Sequence, residues 1–196
     1  LYHRRQRQMC IRDSLPGVGQ NLQDHLTVNI SYTLDRLETF GELMRPIRML
    51  KNLYEYFVKG TGLLTYPASD IGVFFKTNQT AKTPNAQIHF APGAGKYNKD
   101  GAMEPVSGIT ASVCNLRPFS KGHIELRSCN PEESPKIFAN YLSDKADITP
   151  MIEGIKKVRE IFQGPTIKAF NPKEMMPSSG CEDDGQIEEL IRQECL

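Results

Sequence analysis

Thr27 to Leu34 (TVNISYTL) alternates apolar with polar side chains and is rich in β-branched residues, which predicts a strand with one buried face. From Pro46 the period changes. Ile47, Leu50, Tyr54, Phe57 and Val58 recur at spacings of three and four, so they line one face of a helix that Pro46 can open and Gly60 can close. Gly62 to Pro67 reads as a loop, Ile71 to Thr77 (IGVFFKT) as a buried strand and Ala86 to Ala91 (AQIHFA) as another. Between Pro92 and Pro105 the chain is rich in Gly, Asn and Lys, which predicts a long surface loop. Ile109 to Leu116 and His123 to Ser128 read as strands joined by a turn at 118–122, and Lys136 to Asn140 as a short edge strand. The clearest amphipathic helix follows, with Ile148, Met151, Ile152, Ile155, Val158, Ile161 and Phe162 on one stripe. A linker over Pro172 to Gly180 then leads to a last helix, capped by Asp183 or Asp184, with Ile187, Leu190 and Ile191 turned inward.

Strands cluster in the middle, helices flank them, and no βαβ unit repeats. That order predicts an α+β fold with a mostly antiparallel sheet backed by helices. With 196 residues the chain is long enough for one domain with a real core. Its formal net charge of +1 and the lack of a basic stripe argue against a nucleic-acid partner. No apolar run approaches the roughly 18 residues of a transmembrane segment. The five cysteines, Cys10, Cys114, Cys129, Cys181 and Cys195, are scattered without a CxxC pair and read as reduced thiols, which favours a cytoplasmic location. Residues 1–14 (LYHRRQRQMCIRDS) are basic, aperiodic and unlike the rest. They resemble translated adapter sequence and are set aside as a non-native arm.

Few residues announce chemistry by spacing. The four histidines have no partner at metal-ligand or catalytic spacing, and no HExxH, GxSxG or Walker pattern occurs. Gly17-Val18-Gly19 follows no strand, lacks a third glycine and leads into NLQDH rather than an apolar helix, so it is not a dinucleotide fingerprint. Pro16, Gly17 and Gly19 instead suit a tight, exposed backbone path. Read from spacing alone, the chain is an α+β domain without an assigned activity, no catalytic residue and no metal site.

Two stretches add more. PGVGQNLQDH at 16–25 resembles, over all ten residues, the motif of glucose–methanol–choline (GMC) oxidoreductases that leaves the flavin domain and runs past the cofactor. NLRPFSKGHIELRSCNPEESPKIFANYL at 115–142 resembles the family's passage from one sheet strand to the next, with an Arg-Pro pair, a Ser-x-Gly turn, a strand, an Asn-Pro loop and Asn-Tyr. The resemblance runs from about Leu15 to Leu196. It implies a substrate-binding domain over 27–170, preceded by a flavin-adjacent loop at 15–26 and followed by a linker and helix at 171–196. The Rossmann-like FAD domain would be largely missing from this chain, as would the family's catalytic histidine, expected beyond Leu196. The implied activity is oxidation of an alcohol CH–OH, with hydride passing to FAD.

The same resemblance assigns residues. Asn21, Leu22, Asp24 and His25 would stand beside the cofactor, although on their own they read as a polar loop satisfying its own backbone. His89 would line the alcohol pocket, although a histidine in an apolar strand is more often a core residue with one hydrogen bond. Asp70 lies where choline-type members carry a carboxylate facing a cationic head group. It is one methylene shorter than the expected Glu, which shifts the expectation to a neutral primary alcohol. Arg117 reads as a structural ion-pair former. The implied partners are a small-molecule alcohol and the FAD-binding domain of the same polypeptide. The alternatives are a free-standing small-molecule binding domain without flavin, and a structural interaction domain.

Overall fold

A computed structural model describes residues 15–35, 39–43, 45–97, 103–176 and 181–195. The arm at 1–14 therefore lies outside the described residues. Five strands make the main sheet, in the order β10 (Lys173–Met176), β2 (Thr27–Thr33), β7 (Gly108–Asn115), β4 (Ala86–Ala91), β3 (Ile71–Phe75), each antiparallel to its neighbour. Strand β7 is the centre. It pairs with β2 without a slip from Thr27–Cys114 to Thr33–Gly108, and on its other side with β4 from Ala86–Asn115 to Ala91–Thr110.

Alternation decides which face of this sheet is covered. Val28, Ile30 and Tyr32 of β2, Ile88 of β4, and Ala111 and Val113 of β7 point to the same side and are buried. Helix α3 (Ile148–Phe162) lies over them with Ile148, Met151, Ile155, Val158 and Phe162. Phe162 stacks on the Tyr32 ring at 3.8 Å between centroids. The approach of α3 to β7 depends on Gly154, since a Cβ there would overlap the Val113 side chain. Helix α5 (Asp184–Cys195) closes this layer with Ile187 and Ile191. Asp183 is its cap. The carboxylate accepts from the Gln186 backbone N–H at 2.8 Å, while the Gln186 side chain accepts from the Glu182 N–H at 2.9 Å. The α+β architecture expected from the pattern is the one observed.

Several local expectations change. The loop expected over 92–105 holds a hairpin of β5 (Ala94–Tyr97) and β6 (Met103–Val106), in which Gly95 faces Pro105. Neither strand alternates enough to be recognised without its partner. The linker expected over 172–180 contains β10, which completes the free edge of β2 from a partner about 140 residues away in sequence; residues 177–180 lie outside the described set. Strand β3 is an edge rather than a buried strand, with Ile71 and Phe74 exposed. Short helices α1 (Phe40–Leu43) and α4 (Pro165–Lys168) carry no sequence period at all. Helix α2 (Pro46–Tyr54) runs on as a π-helical turn at Glu55–Lys59, closed by Gly60 at φ +63°.

The described cysteines are unpaired, and two of them differ sharply in environment. Cys195 donates to the Thr27 carbonyl, and its thiol is pushed up to about 11 by burial and, less, by the neighbouring Glu194 carboxylate. At pH 8 it holds about two orders of magnitude less thiolate than an ordinary cysteine. Iodoacetamide at that pH is expected to modify exposed Cys129 first and to leave Cys195 unmodified, as read by peptide mass spectrometry; equal rates would refute the burial.

Candidate functional site

The face of the main sheet turned away from α3 and α5 carries the polar half of each alternation. On β2 it presents Thr27, Asn29 and Ser31; on β7, Thr110, Ser112 and Cys114; on β4, Gln87, His89 and Ala91. Register assembles these into rows. Asn29 faces Ser112, Ser112 faces His89, and His89 faces Gly72, giving one line across four strands. The next line is Ser31, Thr110 and Ala91, with Asp70 immediately before β3 at its end.

Within these rows hydrogen bonds engage the side chains of Asn29, Ser31, Thr110 and Ser112 and leave those of His89 and Asp70 without one among the described residues. Ser112 Oγ donates to Asn29 Oδ1, the Ser31 and Thr110 hydroxyls bond at 2.9 Å, and Thr110 also donates to the Gly93 carbonyl at 2.8 Å. The half-buried His89 imidazole makes no hydrogen bond, ion pair or ring contact among the described residues. Beside it Gly72 contributes no side chain, and even a Cβ there would meet its nearest neighbours, Phe74 and Gln87, only at 3.7 and 3.8 Å. A free imidazole between a fixed hydroxyl and an open notch can hold one small polar group. Asp70 is exposed, and its backbone N–H donates to the Phe90 carbonyl at 3.2 Å.

The four residues of the early motif lie at the end of β2, beside a second cluster. Strand β1 (Gln20–Leu22) pairs with β8 (Gly122–Glu125), and β8 with β9 (Lys136–Phe138). Asn21 is exposed, with φ of +62°, a conformation that asparagine tolerates better than most residues. Leu22 turns into a small apolar cavity with Leu26, Tyr141, Leu142 and Met151. Asp24 is held from within the domain. Tyr141 Oη donates to its Oδ2 at 2.8 Å, and the His25 N–H donates to its Oδ1 at 2.8 Å. That bond to Asp24, more than burial, raises the Tyr141 hydroxyl above its ordinary value. His25 borders an open cleft with Gln23, Leu116 and Pro118, and nothing described bonds to its imidazole.

The pivot beneath this cluster is Asp147, which spacing did not reveal. Only 3 % exposed, its carboxylate accepts from Asn115 Nδ2 at 3.2 Å, the Phe119 N–H at 2.7 Å and the Ser120 N–H at 2.9 Å. The turn it fixes presents the Pro118 carbonyl to Gln23 Nε2 at 3.0 Å. Arg117, expected to form an ion pair, forms none among the described residues and is exposed; the carboxylate at this sheet end is occupied by backbone N–H groups instead. Among the described residues no group of three His, Cys, Asp or Glu side chains could hold a metal ion.

The two stretches singled out in sequence, 16–25 and 115–142, therefore meet in space through Asp24–Tyr141 and Gln23–Pro118. The chain is similar to known proteins over both stretches. The family model described as GMC oxidoreductase matches residues 118–196. An alcohol dehydrogenase [acceptor] of Pseudomonas putida is 38% identical over 181 residues, covering 91% of this chain and 32% of its own length. An oxygen-dependent choline dehydrogenase of Burkholderia cenocepacia (strain HI2424) is 33% identical over 178 residues, covering 91% of this chain and 31% of its own. The chain thus spans about a third of the length of these relatives. The crystal structure of formate oxidase shares the fold, with a TM-score of 0.77 at 19% identity over 91% of this chain and 36% of that one. In sequence the chain matches the GMC oxidoreductase family, through the family model over residues 118–196 and through relatives over 91% of its length, and it shares the fold of formate oxidase.

Proposed function

We propose that this chain forms the substrate side of an FAD-dependent oxidoreductase acting on CH–OH donors, and that the alcohol is held against the polar face of the sheet at His89. The observation that carries the reading is the row Asn29–Ser112–His89–Gly72, where Ser112 is bonded to Asn29 and the imidazole alone is a polar side chain with no hydrogen bond among the described residues. A neutral imidazole offers one donor and one acceptor, which is the complement of a hydroxyl. Ser112 spends its proton on Asn29, so its oxygen is turned into an acceptor on the next strand. Gly72 leaves room for the carbon chain beside the ring.

The cofactor candidates divide by what already holds them. Leu22 is packed and Asp24 is bonded to Tyr141, so these two shape the segment. Asn21 and His25, exposed and without side-chain partners among the described residues, fit the polar edge of a flavin and would hold FAD. When bound, FAD supplies the hydride acceptor. This chain's residues bind and orient the alcohol. Asp70 is exposed and one methylene shorter than the Glu expected opposite a cationic head group, which leaves a neutral primary alcohol the better fit.

The test is His89→Ala beside His89→Gln in the full-length, flavin-loaded protein, assayed with a primary alcohol and an artificial acceptor. Loss of a hydrogen bond to the reacting hydroxyl is expected to lower kcat/KM about 10- to 100-fold, with Gln recovering part of it. Unchanged kinetics in both variants would remove His89 from the site. A full-length protein that purifies without flavin and cannot be reconstituted would favour a free-standing binding domain instead.

A further inference from the structure

Helix α2 and its π turn are packed inside out. The residue turned into the protein is Asn52, 5 % exposed, whereas Ile47 is 86 % exposed, Leu50 72 % and Phe57 77 %. Tyr54, Val58 and, just beyond, Tyr66 are exposed as well. An apolar arc of this size on solvent is rare in a finished surface and marks a contact. The charge around it narrows the partner. Between 45 and 60 lie four cations, Arg45, Arg48, Lys51 and Lys59, against the single carboxylate of Glu55. All four cations are exposed. The chain as a whole is nearly neutral, so the excess is local.

We infer that this face docks on an anionic lipid surface, lying in the plane of the headgroups with Ile47, Leu50, Tyr54 and Phe57 below them. A basic amphipathic helix with aromatic residues on its apolar side has the chemistry of such a surface. The exposed tyrosines suit the boundary, where one end of the ring is dry and the other wet. No helix among the described residues is long and apolar enough to cross a membrane. A second copy of the chain fits less well, because a two-fold contact through this arc would set the same cations against one another. The inference does not depend on His89 or on the alcohol.

The experiment is sedimentation of the full-length protein with vesicles of phosphatidylcholine alone and of phosphatidylcholine mixed with phosphatidylglycerol, at low and physiological salt. Binding to the mixed vesicles is expected, weakening as salt rises. Leu50→Glu with Phe57→Glu should reduce partitioning about 100-fold or more while the melting temperature stays unchanged. Arg45→Gln with Lys59→Gln should cost about fivefold per cation on mixed vesicles only, and flatten the salt dependence. Wild-type protein that ignores mixed vesicles would overturn the inference. So would a Leu50/Phe57 variant that binds them as well as wild type, or one that turns a dimer into a monomer and thereby gives the face to a second copy. If that variant unfolds or loses its flavin, the face belongs to the rest of the polypeptide, provided Arg45→Gln with Lys59→Gln leaves vesicle binding intact; that pair of results overturns it too.

Discussion

Asp147→Ala is expected to destabilise the domain by about 3–5 kcal/mol, because it strands a buried amide and two backbone N–H groups at once. The three donors are Asn115 Nδ2 and the N–H groups of Phe119 and Ser120. Two of them cannot reach water without unmaking the turn, since Ser120 and Asn115 are themselves buried. In a domain of this size the loss corresponds to about 10 °C in Tm, measured by thermal or denaturant unfolding. Asp147→Asn is the sharper control. It keeps the shape but substitutes a donor for one of the two accepting oxygens, so it should recover less than half of the loss. A drop under about 1 kcal/mol for Asp147→Ala would mean that the turn is held by other contacts.

Glu174→Ala is expected to cost about 2–4 kcal/mol. Its carboxylate receives Arg159 through two bonds, at 3.1 and 2.8 Å, and the Tyr32 hydroxyl at 2.7 Å. Both ion-pair side chains are mostly buried, at 22 % and 17 % exposure, so the orphaned guanidinium would be poorly hydrated. Arg159 also donates to the Cys181 carbonyl at 2.7 Å, which extends the penalty to the approach to α5. The Arg159→Met, Glu174→Met pair should cost less than Glu174→Ala alone, since no charge is left unpaired. The knot also carries a pH signature. Burial first, and then the bond to Glu174 and its negative charge, raise the Tyr32 hydroxyl above its ordinary value. The folded protein therefore keeps a proton that the unfolded chain gives up near pH ~10. That contribution is complete below this pH and drains away as pH rises past it. Urea titrations at pH 8 and above 10 should show the difference, and Tyr32→Phe should remove most of it.

The layers of the fold were legible because they rest on local periods. TVNISYTL and ITASVCNL alternate, and the stripe from Ile148 to Phe162 has the helical period; each placed its apolar half in the core. What stayed hidden depends on pairing across long separations. KEMM has no strand signature of its own and becomes β10 only because β2 offers it a free edge. The hairpin of β5 and β6 is similar, with glycine and proline facing each other where sequence suggests a loop. Helix α2 was recognised by its period, but a period does not say which side is in. Asn52 is buried and Leu50 is not, the reverse of the usual reading.

The site divides in the same way. His89 was marked by resemblance, and its neighbours Asn29 and Ser112 by nothing more than being the polar half of two alternations. Only the register, Asn29 to Ser112 to His89, makes them one row. Asp147 was invisible for a plain reason. An aspartate just before a helix reads as an ordinary helix start, whereas this one serves backbone donors about 27 residues upstream. Tyr141 stood in plain view in Asn-Tyr, but its partner Asp24 lies 117 positions away.

The centrality of β7 also sets a timetable for the growing polypeptide. Strands β3 and β4 are separated by only ten residues and can zip together as soon as they leave the ribosome. Strand β2 emerges well before them yet has nothing to pair with until β7 follows, first Gly108 opposite Thr33 and last Cys114 opposite Thr27. Its other edge waits longer still, for Lys173. During that interval Val28, Ile30 and Tyr32 are exposed on a strand with two open edges, the situation in which nascent chains stick to one another. A slow translation stretch or a chaperone acting before residue 115 would therefore do more for the yield of this domain than any change near its C-terminus.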